Sequence, residues 1–115
     1  MEFTIVGKYR TLVIRPDDEL DQYAADKIRK TADKLLRKTG LCHVAFDMRN
    51  VRFMDSSGIG VIMGRYRTVC IIGGRVAVFG MSRNVSRIVE MSGIGELVKI
   101  TDKLQNALEE VTKVC

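Results

Sequence analysis

The run Asp55-Ser56-Ser57-Gly58 places a carboxylate and two hydroxyls directly before a helix-compatible stretch, Ile59 to Val69. A helix start carries unpaired N–H groups and a partial positive charge, so oxygen atoms are held there and an anion is stabilised. The simplest use of such residues is capping, which stabilises a helix by about 1 kcal/mol. One cap suffices, yet three candidates stand in a row. The following helix also carries Gly60 and Gly64, each costing about 1 kcal/mol against alanine in a helix interior. With Ser57, Val61 and Thr68 they form a stripe of small side chains that would let another protein's backbone approach closely. Close packing against the chain's own sheet is the alternative cause.

Other chemistries find little support. A nucleophilic serine needs a base and a sharp strand-to-helix elbow, but no Gly-x-Ser-x-Gly is present and the sole histidine, His43, lies in the preceding strand segment. A packed or partly exposed strand histidine is the expected reading of His43. A phosphoaccepting receiver domain would show an acidic cluster at one strand end and a lysine at a later one. Asp47 ends a strand with only the distant Asp17-Asp18 pair for company. Cys42, Cys70 and Cys115 are odd in number and widely spaced, with no Cys-x-x-Cys pair, so reduced structural thiols are expected rather than a metal site.

The elements that must position the serines follow from periodicity. Phe3–Val6 and Tyr9–Arg15 are β-prone runs joined across Gly7-Lys8, which predicts a tight hairpin closed by Pro16. Ala25, Ile28, Ala32, Leu35 and Leu36 recur at helical steps between Asp21 and Lys38, with Gly40 as terminator. Leu41–Met48 is nearly continuous in apolar residues, as in a central strand covered on both faces. Ser57–Val69 predicts a helix with Ile59, Ile62, Met63, Tyr66 and Cys70 on one face and Arg65 and Arg67 elsewhere, ended at Gly73-Gly74. A strand at Arg75–Phe79 precedes a short helix capped by Ser82, carrying Val85, Ile88 and Val89 and stopped by Gly93. A strand near Leu97–Ile100 and a last helix opened by Thr101-Asp102, burying Leu104, Ala107, Leu108 and Val111, complete the order ββαβαβαβα. Alternating strands and helices imply an α/β layer fold with right-handed crossovers, made mixed by the first hairpin.

With 115 residues, 46% of them hydrophobic, the chain suits one domain spanning 1–115. No apolar run approaches the roughly 20 residues of a membrane span, and the first residues lack a secretory pattern, so a cytoplasmic protein is expected. The net charge of +5 would fit nucleic acid. However, the cations fall mostly between apolar helix positions and aromatics are few. A basic surface meeting an acidic protein partner fits the charge better, as does plain solubility.

The stretch Phe53-Met54-Asp55-Ser56-Ser57-Gly58-Ile59-Gly60-Val61-Ile62-Met63-Gly64-Arg65-Tyr66 resembles the phosphorylation-site helix of bacterial anti-sigma factor antagonists, which are STAS domains, and most of all those of sporulation that oppose the sigma-F anti-sigma factor. The similarity extends to Glu19-Leu20-Asp21, Gly73-Gly74 and Met91-Ser92-Gly93-Ile94. It implies a single STAS domain, α/β, with a mixed sheet of about five strands and about four helices. It further implies that Ser57 accepts phosphate, and that Glu19, Asp21, Asp55, Ser56, Gly58, Gly60, Val61 and Gly64 join it on a partner-binding surface.

The implied function is partner switching. The unphosphorylated protein binds an anti-sigma factor that is also a serine kinase and so releases a sigma factor, and phosphorylation ends the binding. The kinase would bring ATP and magnesium and a separate serine phosphatase would restore the hydroxyl. The chain itself would be no enzyme and would hold no cofactor or metal, and neither nucleic acid nor membrane would be a direct partner. A STAS module that senses a nucleotide, a lipid or another regulator without phosphorylation is the alternative. Asp18 stands where the family usually has glycine.

Overall fold

The computed structural model describes residues 1–113; Cys115, read above as a reduced thiol, lies outside the described residues. β1 (Glu2–Val6) and β2 (Thr11–Arg15) pair antiparallel, from Glu2 opposite Arg15 to Val6 opposite Thr11. The loop between them is longer than the expected Gly7-Lys8 turn. A two-residue hairpin turn needs positive φ at one or both central residues, whereas here Gly7–Tyr9 makes a 3-10 turn and the left-handed position falls on Arg10 (φ 51°), whose N–H donates to Gly7 O at 3.0 Å. Tyr9 and Arg10 therefore leave the strand predicted for them.

Next come β3 (Glu19–Leu20) and α1 (Gln22–Thr39), then β4 (His43–Asp47), β5 (Phe53–Met54) and α2 (Ser56–Cys70). β6 (Val76–Phe79), α3 (Arg83–Ser92), β7 (Lys99–Thr101) and α4 (Leu104–Thr112) complete the chain. The main sheet has the order β1-β2-β4-β6-β7, with parallel pairing from β2 onward and β4 at its centre. Among the described residues, the five-stranded mixed sheet and four α-helices match the expected class. What periodicity missed is a separate two-stranded sheet of β3 and β5.

Alternation along the central strands divides the core. Leu12, Ile14, Val44, Phe46, Val76 and Val78 face the layer of α1, α2 and α3, while Val13, Ala45, Ala77 and Phe79 face Ala107, Leu108 and Val111 of α4. Small Ala45 and Ala77 let α4 lie close, and the covering of both faces explains why β4 is apolar throughout. Helix ends obey their caps: Asp21, Asp55 and Ser82 accept N–H groups at the starts of α1, α2 and α3, and Gly40 (φ 70°) and Gly93 (φ 80°) end α1 and α3.

Three helix and strand details differ from expectation. α4 starts after Lys103, which makes no side-chain cap, rather than at Thr101-Asp102, and Leu104 is exposed. β7 begins at Lys99 because a 3-10 turn, Ile94–Glu96, takes up the preceding chain, leaving Leu97 exposed. On α2 the buried face is Gly58, Val61, Ile62, Arg65 and Val69; Ile59, Met63 and Tyr66 only flank the core and Cys70 is exposed. Covering a sheet on one side and α1 on the other rotates the buried stripe toward α1, which draws Arg65 inside.

Candidate functional site at the starts of α1 and α2

The small β3–β5 sheet builds the site. Its strands run parallel, with Glu19 opposite Phe53 and Leu20 opposite Met54, and each leads within one residue into a helix. The N-termini of α1 and α2 therefore emerge side by side and point the same way. Leu20 and Met54 are buried beneath the pair, whereas Glu19 and Phe53 are exposed on its outer face. The Asp18 carbonyl ties the strands together by accepting from Arg52 N at 2.8 Å and Phe53 N at 3.1 Å. Asp18 does this without a positive φ, since Arg10 is the single non-glycine residue with one among the described residues. Glycine is not required at that position here.

Capping falls to one residue of each triplet. Asp21 Oδ1 accepts from Ala24 N at 3.0 Å, and Asp55 Oδ1 accepts from Ser57 N at 2.8 Å. Ser56 and Ser57 are thus relieved of capping. Ser56 is exposed, and Ser57 is half-buried with its hydroxyl donating to Gln22 Oε1 across the two helix starts at 3.0 Å. Gln22 is held in turn, its Nε2 donating to Asp26 Oδ1 at 3.1 Å. The chain Ser57–Gln22–Asp26 presents the serine oxygen at the head of a groove of about 370 Å³ between α1 and α2.

The glycines separate by direction. A Cβ on Gly60 or Gly64 would meet nothing within 4 Å, so neither glycine is there for contact with the chain's own sheet, and both open onto the groove. Gly58 behaves in the opposite way. It is buried, and a Cβ there would overlap Met54 Cγ and Sδ and crowd Leu20. Gly58, expected on a partner surface, is buried in the structure, where it lets α2 sit on the small sheet. Val61, also placed on that surface, forms part of the groove floor and is nearly buried.

Arg65 shares that floor. It is 4% exposed, with Nε 3.1 Å from Asp33 Oδ1, but neither that nitrogen nor Nη1 makes a hydrogen bond, and Asp33 Oδ1 likewise accepts none. The contact is a charge pairing in poor alignment. Burial lowers the Arg65 pKa, with Asp33 opposing the shift and Arg29 adding to it. Gln22, Asp26 and Arg65 are the site residues that sequence reasoning missed. For Arg65 a signal existed, because it lies four residues from both Val61 and Val69 on the buried side.

His43 is remote from this groove. Its Nδ1 accepts from Arg75 N at 3.0 Å at the far end of β4, and burial, followed by the charges of Arg10 and Arg75, lowers its pKa. Among the described residues no group of three or more His, Cys, Asp or Glu could hold a metal ion, and no helix is long and apolar enough to cross a membrane.

Comparison with known proteins places these features. The family model of the STAS domain matches residues 2–107. An anti-sigma F factor antagonist of Paenibacillus polymyxa is 37% identical over 103 residues, covering 90% of this chain and 88% of its own. Among solved structures, the anti-sigma factor antagonist SpoIIAA in its unphosphorylated form superposes with a TM-score of 0.77 at 26% identity over 98% of both chains. The phosphorylated form of the Bacillus cell fate determinant SpoIIAA gives 0.72 at 26% identity, over 96% of this chain and 99% of that one. With its mixed sheet, four helices and serine-bearing start of α2, this chain belongs to the STAS domain family.

Proposed function

We propose that the protein is an anti-sigma factor antagonist that works by partner switching, with Ser57 as its phosphoacceptor. The observation that carries this reading is the placing of Ser57: its own N–H is capped by Asp55, its hydroxyl stands at the open head of the α1–α2 groove, and Gly60 and Gly64 leave the surface beyond it clear. Relatives named anti-sigma F factor antagonist support the choice of partner class. In the unphosphorylated state the partner, an anti-sigma factor with serine kinase activity, packs on the exposed faces of Glu19, Ser56, Ser57, Gly60 and Gly64. Asp21 and Asp55 contribute by holding the two helix starts in place. The kinase supplies ATP and magnesium, and a serine phosphatase resets the protein.

Phosphorylation adds about −1.5 to −2 charges. At the second residue of α2 the helix dipole favours that charge by about 0.3–1 kcal/mol, so the fold persists. The partner surface does not. Gln22 Oε1 now faces phosphate oxygens rather than a hydroxyl donor, and a partner packed against Ser57 meets a bulky dianion. The test is intact-mass spectrometry with site mapping after incubation with a cognate anti-sigma factor kinase and ATP, with Ser57→Ala alongside. One added phosphate, absent from Ser57→Ala, is the expected result. No transfer from a kinase shown to be active would remove the switching reading and leave a binding module.

A further inference from the structure

The floor of the α1–α2 groove holds a buried guanidinium, two of whose donor nitrogens are left unpaired by its own walls. Arg65 is 4% exposed, yet its Nε and Nη1 have no hydrogen-bond partner. Buried donors are almost always paired, and one left unpaired is costly. The charges facing it are unequal: Arg29 and Arg67 line the same groove as Arg65, while the one acid of the lining is Asp26, already engaged by Gln22, and Asp33, outside that lining, contacts Arg65 without a hydrogen bond. Three guanidinium groups thus meet two carboxylates. Above them Gly60 and Gly64 leave room for a backbone to approach.

Resting on the reading that the protein binds an anti-sigma factor, we propose that this groove receives an acidic segment of that partner, one of whose carboxylates accepts a hydrogen bond from Arg65 while Arg29 and Arg67 hold the flanking negative charge. The occupant is a protein carboxylate rather than the protein's own phosphoserine. Ser57 lies eight residues from Arg65, about 12 Å along the helix, and the Arg65 guanidinium sits at Asp33, eleven residues beyond Gln22 on α1 and away from the Ser57 end of the groove. The net charge of +5 agrees with an acidic partner surface. The arrangement also gives phosphorylation a second means of release, since a dianion at the head of the groove repels an acidic segment lying along it.

The experiment measures binding of the unphosphorylated protein to a cognate anti-sigma F factor at low and moderate salt, for the wild type, Arg29→Glu, Arg67→Glu and Arg65→Met. Arg29 and Arg67 are exposed, so their variants keep the fold even if Arg65→Met does not. We expect roughly tenfold or greater weakening in each folded variant, a shallower salt dependence, and recovery of Arg67→Glu when a partner acid is replaced by lysine. Wild-type binding matched within about twofold by all folded variants would overturn the acidic-segment inference while leaving the proposed function intact. Failure of the wild type to bind would instead overturn the proposed function, and the inference with it. Arg65-dependent binding of inorganic phosphate or ATP without the partner would assign the groove to a small anion and also overturn the inference.

Discussion

Three glycines within seven residues of α2 do different work, and substitution separates them. Gly60 and Gly64 have open space where a Cβ would stand. Alanine there removes the entropic cost of glycine in a helix, so each of Gly60→Ala and Gly64→Ala should raise stability by about 1 kcal/mol. If the glycines serve an approaching partner, the same variants weaken binding to the anti-sigma factor. A pair of measurements checks this, urea unfolding and partner affinity; glycine variants that gain stability and bind as well as wild type would show that the stripe has no binding role. Gly58→Ala should act in the reverse sense, because the added methyl enters space held by Met54 and Leu20. A loss of about 1–3 kcal/mol is expected from that overpacking. The serine itself is tolerant: Ser57→Asp should retain the native circular dichroism spectrum, since Asp55 alone provides the cap and a carboxylate in the first turn complements the dipole, but it should lose the proposed anti-sigma factor partner.

At the scale of elements, the site depends on two strands of two residues each. Leu20 and Met54 are buried under both helix starts, and their truncation to alanine should cost about 2–5 kcal/mol. Because Asp21 and Asp55 follow them directly, the loss should also slow phosphate transfer to Ser57 under conditions where the variants remain folded. Leu108→Ala on α4 offers the control: it is equally a core truncation, but on the opposite face of the sheet. Comparable destabilisation with unchanged phosphate transfer is expected, and equal slowing in both would mean that global loosening, not the small sheet, governs the site. These same strands were the part of the fold least legible in the sequence. α1, α2 and the central strand declare themselves through repeated apolar steps, and glycine stops such as Gly40 and Gly93 mark their ends. Glu19-Leu20 and Phe53-Met54 are too short for any period to register, and their pairing depends on a contact between segments far apart in the chain. The serine pair was legible as a motif, but Gln22 was not, because its role arises only when the small sheet sets α1 and α2 side by side. Arg65 was hidden for another reason, charge being read as exposure even at a position in step with Val61 and Val69.

At the scale of the whole molecule, the site lies at the C-terminal ends of β2 and β4, where open α/β sheets commonly place their functional surfaces. The two ends of β4 respond differently to acid. At its C-terminal end Asp47 is buried, which disfavours its charge, yet a two-pronged contact from Arg49 at 2.9 and 2.7 Å, with Arg15 nearby, brings its pKa below the ordinary value. At the N-terminal end His43, whose Nδ1 accepts from Arg75 N, has its pKa lowered by burial and then by the charges of Arg10 and Arg75. In both cases the folded pKa is depressed, so the unfolded chain binds protons first and stability falls as pH falls. The windows differ. The His43 contribution is complete above about 6.5, the unfolded value, and declines below it, whereas that of Asp47 persists until pH drops under about 3.9. The urea midpoint should therefore decrease from pH 7.5 to pH 5 with Asp47 still charged, and decrease again in strong acid. Growing positive charge on an already cationic protein would lower stability over the same range, so the decisive comparison is His43→Asn, which cannot titrate. A flatter midpoint between pH 7.5 and pH 5 in that variant would assign the first decline to His43, and an unchanged slope would assign it to overall charge repulsion.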